Sequence, residues 1–303
     1  MVTLQQYKGL LVGLALGDAL CAPYEGGILE RFVWGLIGKT RKGKIRFTDD
    51  TQMSLDLCHS LLQRGELDQD HLAISFAQGY RYSRGYGPSA AKILKNIRAG
   101  KDWRDLNTMM FPQGSYGNGA AMRSPVLALF YIGEISKLLE AVQKSAVITH
   151  AHPQAVEGAE LICLSAHYAL EKKEPTEILK KLIEHSKSLE YKDKLELSLS
   201  WIREGLFPEP KEVVLKLGNN ISAVNSCVTS IYIALNFLSG SYAEIIGFIK
   251  RCSGDTDTIA AMAGAIWGAY NGVDKVDHPE MPRLESINEI EALAENIYQI
   301  VYE

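Results

Sequence analysis

Apolar side chains return at helical spacing along most of this chain, and strand-like alternation is confined to a few short runs. Met53, Leu57, Cys58 and Leu61 put one apolar face on a helix over 51–63. The same period runs through 69–82, 88–98, 120–131, 135–147 and 153–172, and further helices are predicted over 175–187, 193–204, 220–238, 241–251, 257–270 and 287–302. The opening stretch, 4–20, reads as a helix of small residues in which Gly9, Gly13 and Gly17 share a face, as close packing against a second helix would use. Residues 28–47 and 99–119 are rich in Gly, Lys and Thr and read as loops; stretches as long as 21–47 and 99–119 tend to carry function. The best internal break, 205–212 with Gly205, Pro208 and Pro210, is short. The pattern predicts an all-α fold of ten or more helices, forming one compact domain over residues 1–303.

Composition narrows the function classes. At 303 residues with 47 % hydrophobic and 22 % charged residues, the chain is an ordinary globular protein that needs neither disulfides nor metals merely to fold. A net charge of -4 gives no basic field to hold nucleic acid, so a phosphate-bearing ligand has to be gripped locally. The five cysteines, Cys21, Cys58, Cys163, Cys227 and Cys252, are scattered and odd in number, which argues against a disulfide framework or a zinc site and for a reducing, cytoplasmic setting. Lys8 followed by Gly9–Leu16 has the outline of a short signal peptide. Asp18 interrupts the apolar run and Leu20 before Cys21 is too large for a lipoprotein-type cleavage site, so an internal helix is expected. No stretch approaches the roughly 20 apolar residues of a membrane span, and nothing in the chain demands an oligomer.

The chemistry is concentrated in two segments. Thr48-Asp49-Asp50-Thr51 stands before the helix at 51–63, and Gly254-Asp255-Thr256-Asp257-Thr258 before the helix at 257–270. Capping accounts for one Thr or Asp at a helix start. It does not account for paired carboxylates flanked by threonines, twice. Like charges this close repel unless a cation neutralises them, and carboxylates with hydroxyls form an all-oxygen set suited to Mg²⁺, Mn²⁺ or Ca²⁺. In a helix Asp255 and Asp257 would diverge by about 200°, whereas in a loop they converge on one ion. An EF-hand is excluded, because Ala260 stands where that loop needs Gly and no Glu closes it. A haloacid-dehalogenase-type phosphatase needs an apolar strand before its Asp-x-Asp, and Phe248–Ser253, with Lys250 and Arg251, is not one.

Four other places bear on a ligand. Gly114-Ser115-Tyr116-Gly117-Asn118-Gly119 is a glycine-rich loop leading into a helix from Ala120, able to bring N–H groups to a phosphate, with Tyr116 placed to stack a base. Its spacing is neither a dinucleotide fingerprint nor a Walker loop. Arg123, one turn on, reads equally as a structural ion-pair partner. Arg84-Gly85-Tyr86-Gly87-Pro88 is a second glycine loop opening a helix. Thr149-His150-Ala151-His152 offers two histidines, for which a helix-capping Thr149 with solvated rings is the simpler local reading. Asp18 lies at a helix C-terminus, where the helix field disfavours an anion, and Glu25 lies in a Pro/Gly loop as a mobile acid or base.

Taken together, Gly13–Glu25, Phe47–Thr51, Gly85–Pro88, Gly114–Arg123, Thr149–His150 and Gly254–Gly268 resemble, in order and over nearly the whole chain, the ADP-ribosylglycohydrolase family, which includes dinitrogenase reductase-activating glycohydrolase and the animal ADP-ribosylhydrolases. The resemblance implies an all-α fold with a binuclear site at helix N-termini, two Mg²⁺ or Mn²⁺ held by Thr48, Asp49, Asp50, Asp255, Asp257 and Thr258. It implies an ADP-ribose pocket lined by Gly85, Tyr86, Gly87, Ser115, Tyr116, Gly117, Asn118 and Gly119, with Tyr116 facing the adenine and His150 near the ribose or phosphates. Glu25 would be the general acid or base, and Asp49 or Asp257 a bridging ligand. Cys21 stands where many members carry Gly, and Ser253 where Gly-Gly-Asp is usual. Tyr24-Glu25, Arg84–Gly87 and Gly114–Gly119 look most like the branch that cleaves ADP-ribose from serine, poly(ADP-ribose) or O-acetyl-ADP-ribose. The arginine-specific branch is the close alternative, and a non-catalytic structural or ADP-ribose-binding member of the fold the more distant one. The expected partner is an ADP-ribose-containing small molecule or ADP-ribosylated protein, met by a monomer.

Overall fold

Gly9, Gly13 and Gly17 explain how the two central helices meet. In the computed structural model, which describes residues 2–302 and only the backbone at 28–30, helix α1 (Leu4–Cys21) is buried on nearly every side. A methyl group added at Gly9, Gly13 or Gly17 would overlap the backbone carbonyls of Gly268, Gly264 or Ala260 in turn. Rising numbers on one helix meet falling numbers on the other, so the two run antiparallel with backbones in contact. The end of α1 therefore lies beside the start of its partner. Tyr242 locks the seam, its hydroxyl donating to the Gly13 carbonyl at 2.6 Å.

After α1 come α2 (Ile28–Ile37), α3 (Asp49–Arg64), α4 (Gln69–Gly79), α5 (Pro88–Arg98), α6 (Pro125–Phe130), α7 (Ile135–Val147) and α8 (Pro153–Leu170). The second half holds α9 (Pro175–His185), α10 (Leu189–Arg203), α11 (Pro210–Leu217), α12 (Ala223–Asn236), α13 (Tyr242–Cys252), α14 (Thr256–Asn271) and α15 (Ile287–Tyr302). Among the described residues β-structure is limited to isolated bridges, at Lys39–Ile45, Ile45–Leu284 and Gly117–Ser222. Helix starts are marked in the sequence as physical chemistry requires: capping boxes at Thr3 with Gln6 and at Ser241 with Glu244, and proline in the first turn of α5, α6, α8, α9 and α11. The apolar side chains of α1, α8, α12 and α14 form the middle of one continuous core. All five cysteines are buried and unpaired.

Three expectations are corrected. Residues 28–47 are not all loop: the Gly/Lys/Thr-rich composition belongs to 38–44, and α2 precedes it, with Phe32 and Leu36 at helical spacing but exposed rather than in the core. Pro210 does not break the chain; it starts α11, where its missing N–H costs no hydrogen bond. The helix expected over 120–131 is a 3₁₀ turn at Asn118–Ala120 followed by α6, because Pro125 cannot be passed within a helix interior.

Candidate active site

Three helix ends converge at one end of the α1–α14 seam. Asp18, in the last turn of α1, is fully buried; its carboxylate accepts from the Thr48 N–H (2.9 and 3.0 Å), the Thr51 N–H (3.1 Å) and the Thr51 hydroxyl (2.6 Å). The charge that looks misplaced on α1 thus caps α3. Thr48, the N-cap of α3, accepts from the Asp50 N–H at 3.3 Å and donates to Asp50 Oδ2 at 2.9 Å. From the other side, Thr258 donates to Asp50 Oδ2 at 3.4 Å, which joins the two acidic segments across 208 residues of chain. The α14 start is held by Asn219, whose carbonyl accepts from the Asp255 N–H at 2.9 Å, and by Thr256, whose hydroxyl donates to the Cys21 carbonyl at 3.0 Å.

The carboxylates are crowded and sunk. Carboxylate oxygens of Glu25, Asp255 and Asp257 lie within 4.8 Å of one another. Burial, and then the neighbouring charge of Asp18, pushes Asp49 and Asp50 well above the usual carboxylate range. Burial, and then Glu25 and Asp50, does the same to Asp257, and burial raises Asp255 against the opposing hydrogen bond from Asn118. Asp18 is pushed up to about 6 by burial, restrained by its bonds to Thr51 and Thr48. Asp50 Oδ1 is buried without a hydrogen-bond partner among the described residues. An orphaned buried carboxylate oxygen amid several like charges fits a divalent cation, and the all-oxygen donor set fits a hard one.

These residues form the floor of a cavity of about 310 Å³, within the range of small-molecule sites. Its lining includes Glu25, Asp49, Asp50, Asp255, Asp257 and Thr258, the glycine loop from Ser115 to Gly119, Gly85, Gly87 and His150. The sequence motifs therefore meet at one place. Two of the expected site residues stand back from it. Thr48 is buried behind Asp50, and Tyr86 is turned inward, its ring tilted on Tyr80 with centroids 4.7 Å apart and its hydroxyl buried. Thr149 does not cap α8; His152 does, its Nδ1 accepting from the Gln154 N–H at 3.2 Å, and His150 is buried rather than solvated. Burial, and then the nearby Arg123 charge, lowers His150 to about 3, so its ring is neutral.

The glycine loop is not backed by a helix start, since α6 begins only at Pro125. It is pinned instead to the segment before α12: the Asn118 N–H donates to the Ile221 carbonyl at 3.0 Å and the Ala223 N–H to the Tyr116 carbonyl at 3.1 Å. Besides the acidic starts of α3 and α14, the N-terminus of α5 opens on the cavity, through Gly87, Pro88, Ser89 and Ala90. The lining also holds residues that sequence reasoning missed: Met53, Met110, Phe111, Met122 and Ile221. The half-exposed Phe111 and the exposed Ile221, apolar side chains in otherwise polar loops, were the available signal. Glu285 gave none. It pairs with Arg84 and accepts from the Phe47 N–H at 2.9 Å, and Arg84 donates to the Phe47 carbonyl at 2.6 Å. That link ties the run into the first acidic segment to the Gly85–Gly87 wall.

Residues 2–303 match the family model described as ADP-ribosylglycohydrolase. The chain belongs to the ADP-ribosylglycohydrolase family. It is 31 % identical over 334 residues to ADP-ribosylhydrolase ARH3 of Xenopus tropicalis, covering 97 % of this chain and 95 % of that protein. To ADP-ribosylhydrolase ARH3 of Homo sapiens it is 30 % identical over 344 residues, with 98 % and 94 % covered. A solved structure described as an "ADP-ribosylglycohydrolase-related protein complex" superposes with a TM-score of 0.73 at 24 % identity, covering 98 % of each chain, and so shares the fold. As an ADP-ribosylglycohydrolase the chain is a glycosidic hydrolase acting on ADP-ribose-containing substrates. One departure from the family pattern noted above has a visible consequence. Ser253 adopts φ 56°, ψ -170°, a region natural only to glycine, immediately before Gly254 and Asp255.

Proposed function

We propose that this chain hydrolyses the O-linked bond joining ADP-ribose to its acceptor, in serine-linked ADP-ribose, poly(ADP-ribose) or O-acetyl-ADP-ribose. The observation that carries the reading is the juxtaposition of two acidic helix starts and Glu25 on the floor of a cavity walled by the glycine loops. Asp49, Asp50, Asp255, Asp257 and Thr258, with Thr48 behind them, are the residues that would hold two Mg²⁺ or Mn²⁺ ions. When bound, such ions neutralise the carboxylates and supply Lewis acidity toward the ribose hydroxyls and water.

The chain's own groups do the rest. The first turn of α5, with its free N–H groups and positive helix end, suits the diphosphate, and the loop Ser115–Gly119 lines the same cavity. Tyr116, half-exposed at the rim with Phe111 and Ile221 nearby in the lining, offers the adenine an apolar surface. Glu25, on the turn after α1 and among the carboxylates, is the group to take a proton from water or give one to the leaving oxygen. Asp49 and Asp257 hold the reacting centre in place against it. The O-linked branch is preferred because Tyr24-Glu25, Arg84–Gly87 and Gly114–Gly119 look like that branch; arginine-linked ADP-ribose is the alternative. The same reading takes the chain as one domain over residues 1–303, a cytoplasmic monomer without a stable nucleic-acid partner. Among the described residues no helix is long and apolar enough to cross a membrane.

The test is release of free ADP-ribose from serine-linked and arginine-linked ADP-ribosyl peptides in parallel, with Mg²⁺, Mn²⁺ or EDTA. Cation-dependent release from the serine-linked peptide is the expected result. Release from the arginine-linked peptide alone moves the protein to the other branch, and equal release in EDTA removes the cations from the proposal.

A further inference from the structure

Arg123 is fully buried, yet no carboxylate pairs with it among the described residues. Its guanidinium lies 4.9 Å from the Phe76 ring centroid and donates only to neutral acceptors: the carbonyl of Gly119, the Ser145 carbonyl at 2.8 Å and hydroxyl at 3.5 Å, and Thr149 Oγ1 at 3.1 Å. An ion pair, one of the readings its sequence position allows, is not what the fold makes of it. A buried cation is costly, so its retention calls for a reason.

The reason lies one bond further on. Thr149 Oγ1 is also 2.8 Å from His150 Nδ1. A guanidinium has only donors, so Thr149 must accept from Arg123. The hydroxyl has a single proton, and of its two partners only His150 Nδ1 can receive it. With the ring protonated on Nδ1 instead, the hydroxyl proton would be buried without an acceptor among the described residues, so the geometry favours Nδ1 as acceptor and the proton of the neutral ring on Nε2. Among the described residues nothing hydrogen-bonds Nε2. The ring lines the cavity and lies against the glycine loop so closely that a methyl group at Gly119 would come within 2.9 Å of Nε2 and 2.5 Å of Cε1. Arg123 grips the same loop through the Gly119 carbonyl.

We propose that Arg123 and Thr149 are positioning residues: acting in series, they hold His150 as the Nε2–H tautomer, so that the ring presents one fixed donor to an acceptor oxygen of the bound substrate. The proposal rests on the reading that ADP-ribose occupies this cavity. Its first half does not depend on that reading, because the tautomer exists in the free protein. The device also accounts for a buried cation whose hydrogen bonds all go to neutral acceptors: through Thr149, Arg123 sets the direction of a proton.

The experiment is ring ¹⁵N–¹H correlation on the full chain carrying ¹⁵N-histidine, with His150 assigned by His150→Gln. In the unsubstituted protein His150 Nδ1 should be pyridine-like and Nε2 protonated. Thr149→Val, which keeps the shape and removes the proton, should give mixed or inverted tautomers, and Thr149→Ser should restore the original pattern. On saturation with ADP-ribose the Nε2–H resonance should move, and Thr149→Val should weaken ADP-ribose binding about tenfold while Thr149→Ser binds normally. A ring protonated on Nδ1 in the unsubstituted protein, or an unchanged tautomer in Thr149→Val, overturns the relay. ADP-ribose that binds without moving the Nε2–H resonance overturns the donor role alone. ADP-ribose that fails to bind overturns the assignment of the cavity and leaves the tautomer result standing.

Discussion

The starts of α3 and α14 carry nearly the same letters, yet the fold satisfies them in different ways. At α3 the first-turn N–H groups are taken by Asp18, a carboxylate delivered from another helix, while Thr48 holds one oxygen of Asp50. Asp49 and Asp50 are thereby released from capping. At α14 the N-cap Asp255 makes no capping bond with its side chain, and Asp257 itself accepts the Thr258 N–H at 2.9 Å. That start depends on the strained backbone at Ser253 and on Asn219 to aim its carboxylates. Two acidic helix starts can thus be kept open for ligands either by importing a cap or by bending the chain that leads in.

The largest expected effect breaks the symmetry of the two starts. Asp257→Asn should lower turnover by more than about 100-fold, since it removes a proposed cation ligand, a loss exceeding the typical 10–100-fold cost of a supporting group. The same variant should raise the melting temperature of the cation-free protein, because it relieves a buried, repelled carboxylate. Steady-state kinetics and a thermal melt in EDTA check both; lower stability in EDTA would show that Asp257 is chiefly a cap.

Asp18→Asn attacks the imported cap. An amide presents one acceptor oxygen where the carboxylate presents two, so turnover should fall about 10–100-fold. Stability should fall by about 1–3 kcal/mol for the bonds lost at the α3 start. If half-saturation by Mg²⁺ or Mn²⁺ were unchanged while turnover fell, Asp18 would not be orienting the cation ligands.

The third expectation is linkage to pH. Asp18 titrates near 6 and Asp56 near 7 in the fold, both raised chiefly by burial above the roughly 3.9 of an exposed Asp. A raised carboxylate binds more protons folded than unfolded. Its contribution is therefore fully present below about pH 4 and is lost as pH rises through the folded value. Urea unfolding in EDTA should show stability falling from pH 5 to pH 8, at roughly 1.4 kcal/mol per unit of pKa separating the states. Mg²⁺ or Mn²⁺ should remove the part due to the acidic cluster and leave the part due to Asp56, which Asp56→Asn should abolish. A cation-free protein that grew more stable from pH 5 to 8 would contradict this sign.

The smallest effect concerns the lead-in to α14. Ser253→Gly should stabilise the protein by about 1–2 kcal/mol by removing a side chain from a glycine-only conformation, as denaturant midpoints would show. A loss of stability would mean that the bend is not strained.

The sequence carried the helical period, the placement of most helices and the carboxylates that line the cavity, because spacing and residue type express short-range chemistry. It misjudged α2 and α11 because local composition, Gly/Lys/Thr in one case and proline in the other, outweighed the apolar spacing beside it. It flagged Asp18 as misplaced without revealing its purpose, since the N–H groups that need it lie 30 and 33 residues away. Glu285, Ile221 and the Arg123–Thr149–His150 relay were out of reach for the same reason: their meaning is a contact, and no local pattern encodes it.

By itself, then, the chain determined an all-α architecture, a glycine face ready for close packing, and two acidic helix starts of like charge. Only the tertiary structure decided that the glycine face would run α1 antiparallel to α14, which brings a carboxylate from the end of one helix to the start of a third and closes the glycine loops over the cluster. Helix periods follow from bonds within a few residues, whereas that convergence depends on backbones meeting across more than 240 residues of chain.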